Sequence, residues 1–110
     1  MLWAYTTFQF EGYHRWLNAP DEVAFLRFKH RHIFHCKVHI EQLHHDRDIE
    51  YILCRHWLIG DVVARLDRED LGSCEMIAEA IGKEIQLRYT DRLYKVDVSE
   101  DGENGALLES

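Results

Sequence analysis

Four histidines fall within eleven residues, His30, His32, His35 and His39 in the stretch KHRHIFHCKVH. Imidazole is the commonest metal-ligating side chain, so their spacing decides which of them can act together. Arg31 to Leu43 is rich in Ile, Phe and Val and has neither Gly nor Pro, which predicts a strand. Side chains on a strand alternate between faces. The even positions are His30, His32, Phe34, Cys36, Val38 and Ile40, an apolar face headed by two histidines. The odd positions, Arg31, Ile33, His35, Lys37, His39 and Glu41, are mostly charged or polar, so His35 and His39 are expected in solvent. His30 and His32, at i and i+2, can converge on one ion. They can equally be core histidines bonded to backbone or carboxylate, since a buried imidazole needs partners.

The whole chain narrows the chemistry. Its 110 residues suit one domain, 1–110, with a modest core. A formal net charge of -7 argues against a general nucleic-acid or anionic-membrane surface. Acid gathers late, with five carboxylates and no Lys or Arg from Asp97 to Ser110. MLWAYTTFQF has no basic start and no small-residue cleavage pattern, and no apolar run reaches the length of a membrane span. Cys36, Cys54 and Cys74 are an odd set without a C-x-x-C pair. Reduced thiols in a cytoplasm are expected, and any metal would rest on histidines.

The elements that position these residues can be read in order. WAYTTFQFEGYH predicts a first strand over 3–14, with Gly12 marking a bulge or a close approach. Pro20, Asp21 and Glu22 predict a short helical turn. After the His-rich strand, Ile49 to Leu66 has helical spacing, with Ile49, Ile52, Leu53, His56, Gly60 and Val63 on one side. His56 reads there as a core-edge residue rather than a ligand. DREDLGS breaks that pattern. A second helix is predicted from Ser73, as N-cap, to about Glu84, burying Ile77, Ala80 and Ile81. DRLYKVDVSE alternates, with Tyr94, Val96 and Val98 on one face, and SEDGENGALL gives a turn and a last short strand. The order β-β-α-α-β-β predicts an α+β fold, an antiparallel four-stranded sheet with two helices on one face.

In this order the residues resemble the 6-pyruvoyltetrahydropterin synthase and 6-carboxytetrahydropterin synthase family, whose fold is called the T-fold. Phe10-Glu11-Gly12-Tyr13-His14 is similar to the family's F-x-A-A-H, and His30-Arg31-His32 to its H-G-H. The resemblance implies a catalytic Zn2+ on His14, His30 and His32, three imidazoles with one open position. Ile49-Glu50-Tyr51 resembles the family's I-D-F, Gly72-Ser73-Cys74-Glu75 its P-T-S-E, and Val98-Ser99-Glu100-Asp101 with Gly105 its V-x-E-T and following glycine. By that match Glu100 binds the 2-amino and N3-H edge of a pterin, a task suited to a carboxylate that accepts two parallel hydrogen bonds. The likeness spans Phe8 to Leu108 with sparse identities.

Two positions depart from the family. Leu26 stands where its lyases carry a base cysteine, and Leu66-Asp67-Arg68 replaces a segment with an Asp-His pair. Asp67 and Cys36 are the substitutes nearest in sequence, although a buried inert thiol is the ordinary state of such a cysteine. The resemblance implies a zinc-dependent lyase acting on dihydroneopterin triphosphate or a related pterin, on the route to deazapurines such as queuosine. The alternative is a T-fold that binds a pterin or purine nucleotide without turnover. Leu26 and Arg68 favour binding alone, and the histidine triplet favours catalysis. A homo-oligomer with sites between subunits is also implied.

Overall fold

Two long strands carry the histidines. In the computed structural model, which describes residues 1–110, β1 (Leu2–His14) pairs antiparallel with β2 (His30–Gln42). The register runs unbroken from Leu2 opposite Gln42 to His14 opposite His30. β3 (Tyr94–Glu100) pairs with β2, and β4 (Asn104–Glu109) pairs with β3. The sheet is open, in the order β1-β2-β3-β4. Between β2 and β3 lie α1 (Tyr51–Trp57), which continues through a π turn over Leu58–Val62, and α2 (Cys74–Arg88). A 3-10 segment, Asp21–Arg27, joins β1 to β2, with Pro20 at its N-cap. The fold is α+β, as the order of elements predicts.

Alternation decides which face is covered. Phe8, Phe10, Phe34, Cys36, Val38 and Ile40 share the buried face with Tyr94, Val96 and Val98. They pack against Cys54, Leu58, Val62 and Val63 and against Ile77, Ala78, Ile81 and Ile85 in one apolar core. Both helices therefore lie on the even face. No helix is long and apolar enough to cross a membrane.

The first helix turns a different side inward than its spacing predicts. Ile52 and Leu53 are 54% and 66% exposed, and His56 and Gly60 are at the surface. The buried stripe is Cys54, Leu58 and Val62, at steps of four. Val63 N–H bonds the Leu58 carbonyl, an i to i+5 bond that widens the helix there and delays the return of a buried position. Arg55, on the other side, donates to the Thr7 carbonyl at 2.9 Å and ties the helix to β1. The second helix starts as predicted, with the Ser73 hydroxyl accepting from Met76 N–H at 3.2 Å. It runs one turn beyond Glu84, and Ala78 and Ile85 are buried where Ala80 is only half-buried.

Gly12 marks a close approach, and the β1–β2 register has no bulge. A Cβ at this position would collide with the Leu71 side chain and lie 3.2 Å from the Arg68 carbonyl. The loop after α1 can thus lie against β1. Tyr13 N–H donates to Arg68 O at 2.7 Å and Leu71 N–H to Tyr13 O at 3.0 Å. That clamp sets the position of Gly72, one residue on.

The other end of the sheet is closed by charge. Asp48 accepts from both terminal nitrogens of Arg92, at 2.6 and 3.1 Å, and from Leu43 N–H at 2.8 Å. Arg92 also donates to the Glu41 carbonyl at 3.0 Å. The Arg92 guanidinium, with the Leu43 amide, holds the Asp48 carboxyl at about 2, below its ordinary 3.8.

Candidate metal centre

Register alone gathers three histidines at one corner. His14 ends β1 directly opposite His30, which begins β2. His32 lies two residues on, opposite Gly12, and shares the face of His30. One ligand atom from each of the three lies within 4.8 Å of the others, so the cluster can hold a metal ion. The rings meet edge to face, with centroids 4.6 to 5.0 Å apart. Beneath them Phe34 packs its ring against His14 and His32 at 5.4 and 5.9 Å.

Each imidazole is held through Nδ1. His14 Nδ1 lies 2.7 Å from the Gly72 carbonyl, and His30 Nδ1 2.7 Å from the Phe28 carbonyl. His32 Nδ1 lies 2.7 Å from Asp101 Oδ2. A carbonyl or carboxylate oxygen can only accept, so each Nδ1 carries the proton. In a neutral ring Nε2 is then a lone pair. Nε2 of His30 and of His32 is buried without a hydrogen-bond partner. Buried polar atoms in native proteins are nearly always paired, so each open one calls for an explanation, such as an ion or a water. His39 Nδ1, on the opposite face, is open as well, and what sets the His30 and His32 pair apart is their convergence with His14. An outer oxygen on Nδ1 with Nε2 free is the arrangement found in metal-ligating histidines.

Glu100, the last residue of β3, adds a carboxylate. Its Oε1 is 3.2 Å from His14 Nε2 and its Oε2 is 3.5 Å from His32 Nε2. With both rings neutral and protonated on Nδ1, these contacts set acceptor against acceptor. A positive charge between them resolves the conflict, either a ring proton or an ion. Donor atoms bonded at ~2.0–2.2 Å to a tetrahedral zinc stand roughly 3.3–3.6 Å from one another. The two Glu100 contacts fall near that edge length, and the ligand atoms of the three imidazoles lie within 4.8 Å of one another, close enough to hold a metal ion.

The β3–β4 turn brings in Asp101, which the sequence pattern alone did not single out. Asp101 and Gly102 have φ of 54° and 75°, and Glu103 N–H closes the turn on the Glu100 carbonyl at 2.9 Å. Two successive left-handed residues make the turn to which Asp-Gly is suited. Asp101 Oδ1 accepts from Ile33 N–H at 3.0 Å while Oδ2 takes His32. His32, together with the Ile33 amide, keeps the Asp101 carboxyl below the ordinary range. Asp-Gly after a strand is a readable turn signal. The carbonyls of Phe28 and Gly72 have no sequence signal, because any residue offers one.

A cleft of about 700 Å³ opens beside the cluster. His14, His30 and Glu100 line it with Leu26, Cys74 and Glu75. Leu26 is on the wall of this cleft together with His14 and His30. The other nominated residues lie elsewhere. Cys36 is in the core beyond Phe34, and burial, then the neighbouring Cys74, pushes its thiol up to about 12. Asp67 sits on the surface loop, where its carboxylate accepts from Glu69 N–H at 3.1 Å, and it does not line the cleft. Cys74 is the cysteine on the cleft wall, with its thiol also pushed up to about 12, mainly by burial.

His35 and His39 face the other side of the sheet but are half-buried, not solvated as expected. Cross-strand neighbours cover them, with the Tyr5 ring 5.9 Å from that of His39. Burial, then Lys37 and Lys95, lowers the pKa of His39. His56 is exposed and near none of this. No family model matches the chain, and no curated protein is significantly similar to it.

Proposed function

We propose that the protein is a zinc-dependent enzyme of the tetrahydropterin synthase type, with a T-fold. Its substrate would be dihydroneopterin triphosphate or a related pterin held in the cleft beside His14, His30 and His32. The carrying observation is the set of three imidazoles fixed through Nδ1, with the Nε2 atoms of His30 and His32 buried and unpartnered. Zinc bound there would act as a Lewis acid on the oxygens of the substrate side chain and raise the acidity of the adjacent C–H and O–H groups. His14, His30 and His32 hold the ion, and Phe34 supports two of them from below. Glu100 binds the part of the substrate next to the ion. A pterin ring separates its side chain from its amino edge, so a carboxylate beside the ion does not span to that edge. Glu75, the other carboxylate lining the cleft, would take that edge in this reading.

One observation favours binding without turnover. Leu26, which the resemblance sets at the position of the family's base cysteine, lines the cleft, and neither Asp67 nor Cys36 lines it to serve instead. A positioned base is worth about 10²- to 10⁴-fold. Release of triphosphate from dihydroneopterin triphosphate, measured for wild type and Leu26→Cys, separates the two. The enzyme requires measurable release by wild type, raised in Leu26→Cys. Zinc and ligand binding with no release from either protein leaves the binding role. Titration calorimetry with neopterin then assigns the carboxylates, with Glu75→Gln expected to weaken ring binding more than Glu100→Gln.

A homo-oligomer with shared sites belongs to the same proposal. The sheet is open at β1 and β4, and Trp16, Phe25 and Phe28 are 52%, 69% and 74% exposed around the loop that carries Leu26. The three free, buried cysteines accord with a cytoplasmic setting. Light scattering after gel filtration tests the assembly, and a monomer would remove it.

A further inference from the structure

We propose that Asp101 is a positioning residue that fixes the tautomer of His32. The inference concerns the site proposed above, and its test can be read without metal. Three facts carry it. Asp101 spends one oxygen on His32 Nδ1 at 2.7 Å and the other on Ile33 N–H at 3.0 Å. Its own N–H donates to the Ile33 carbonyl at 2.7 Å, so the residue is locked against β2 from both directions. It also keeps φ at 54°, a region uncommon for a residue with a side chain. Turn, strand and imidazole are thus tied by one carboxylate. His14 and His30, by contrast, use backbone carbonyls, which no substitution of the carbonyl-bearing residue deletes.

A carboxylate has two acceptors and no donor, so both of its neighbours must bring a proton. The Ile33 amide always does. His32 has a choice, and Asp101 forces its proton onto Nδ1, which leaves Nε2 as the lone pair facing Glu100 and the other rings. Asparagine in the same place has one acceptor and one donor. The amide N–H of Ile33 cannot reverse, so it claims the oxygen. The NH2 group then faces His32 Nδ1, and the ring answers by moving its proton to Nε2. Asp101→Asn therefore keeps the turn, since Asn tolerates left-handed φ, and removes the lone pair from the cluster.

The test uses the metal-free chain at about pH 8, above the ordinary titration of histidine. Long-range ¹H–¹⁵N correlation spectra report which nitrogen of His32 carries the proton. Wild type is expected to show Nδ1–H and Asp101→Asn to show Nε2–H, with backbone spectra otherwise alike. Zinc affinity is expected to fall about 10- to 100-fold in Asp101→Asn. Gly102→Ala strains the same turn without altering the carboxylate and is expected to retain Nδ1–H and to bind zinc more tightly than Asp101→Asn. A folded Asp101→Asn that keeps Nδ1–H on His32 overturns the proposal. So does a Gly102→Ala protein that keeps Nδ1–H yet loses zinc as completely as Asp101→Asn. If wild type binds no zinc, the metal centre itself fails, and the tautomer in the two proteins still decides the role of Asp101.

Discussion

Polar clusters close both ends of the β1–β2 pair, and they are finished in opposite ways. At the Gln42 end, Asp48 and Arg92 satisfy each other and cap Leu43 N–H and the Glu41 carbonyl. At the His14 end, each imidazole is satisfied on Nδ1, while two Nε2 atoms are buried with nothing to bond. A complete network stabilises a fold. An incomplete one held in place by its neighbours costs stability and keeps a position ready for another group. The contrast supports the proposal of a structural cluster at one end and a metal-holding one at the other.

The largest expected effect is on metal. His30→Ala or His32→Ala should abolish tight zinc binding in a competition titration, whereas His35→Ala and His39→Ala should leave it within about twofold of wild type. Equal loss from His39→Ala would mean that the ion lies on the outer face of the sheet.

Stability should then separate the two ends. Arg92→Ala leaves the Asp48 carboxylate without its cation and should lower the urea midpoint. His32→Leu removes a buried unpaired nitrogen but also the bond to Asp101, whose carboxylate stays open to water. The two changes oppose each other, and the metal-free protein should stay within about 1 kcal/mol of wild type. A large loss for His32→Leu and none for Arg92→Ala would reverse the assignment.

Acid titration gives a smaller effect with a defined sign. The carboxyl of Asp48 sits at about 2 when folded against an ordinary 3.8. Between those values the unfolded chain binds more protons at this group than the folded one. The contribution of Asp48 is therefore complete above pH 3.8 and lost as pH falls toward 2. Asp48→Asn should flatten that part of the curve of stability against pH, and an unchanged slope would place the dependence elsewhere.

The smallest effect concerns thiols. Cys36, Cys54 and Cys74 are all buried, so the native protein should react slowly with a thiol reagent near neutral pH and release three equivalents only when unfolded. Cys36→Ala should leave zinc affinity unchanged. Rapid reaction of one native thiol would return a cysteine to the list of bases.

Much of this was legible in the sequence because strand alternation is strict. It placed His30 and His32 on the apolar face with Phe34, and it placed Tyr94, Val96 and Val98 together. His14 was reached only through resemblance, since no local pattern links residue 14 to residue 30. The helix after β2 misled because a π turn changes its period, and nothing in LIGDV announces one. The Nδ1 partners were illegible for another reason. Two are backbone carbonyls brought in by loops, and the third, Asp101, is a turn residue whose second oxygen happens to reach His32.

His14, His30 and His32 are proposed to form a metal centre through Nε2. A crystal of the protein equilibrated with zinc, with diffraction recorded on both sides of the zinc absorption edge, tests it most directly. One anomalous peak per chain is expected, roughly 2.0–2.1 Å from Nε2 of all three histidines. A zinc-treated crystal with no peak at that corner, or a peak bound through any Nδ1 of the three, would rule the centre out.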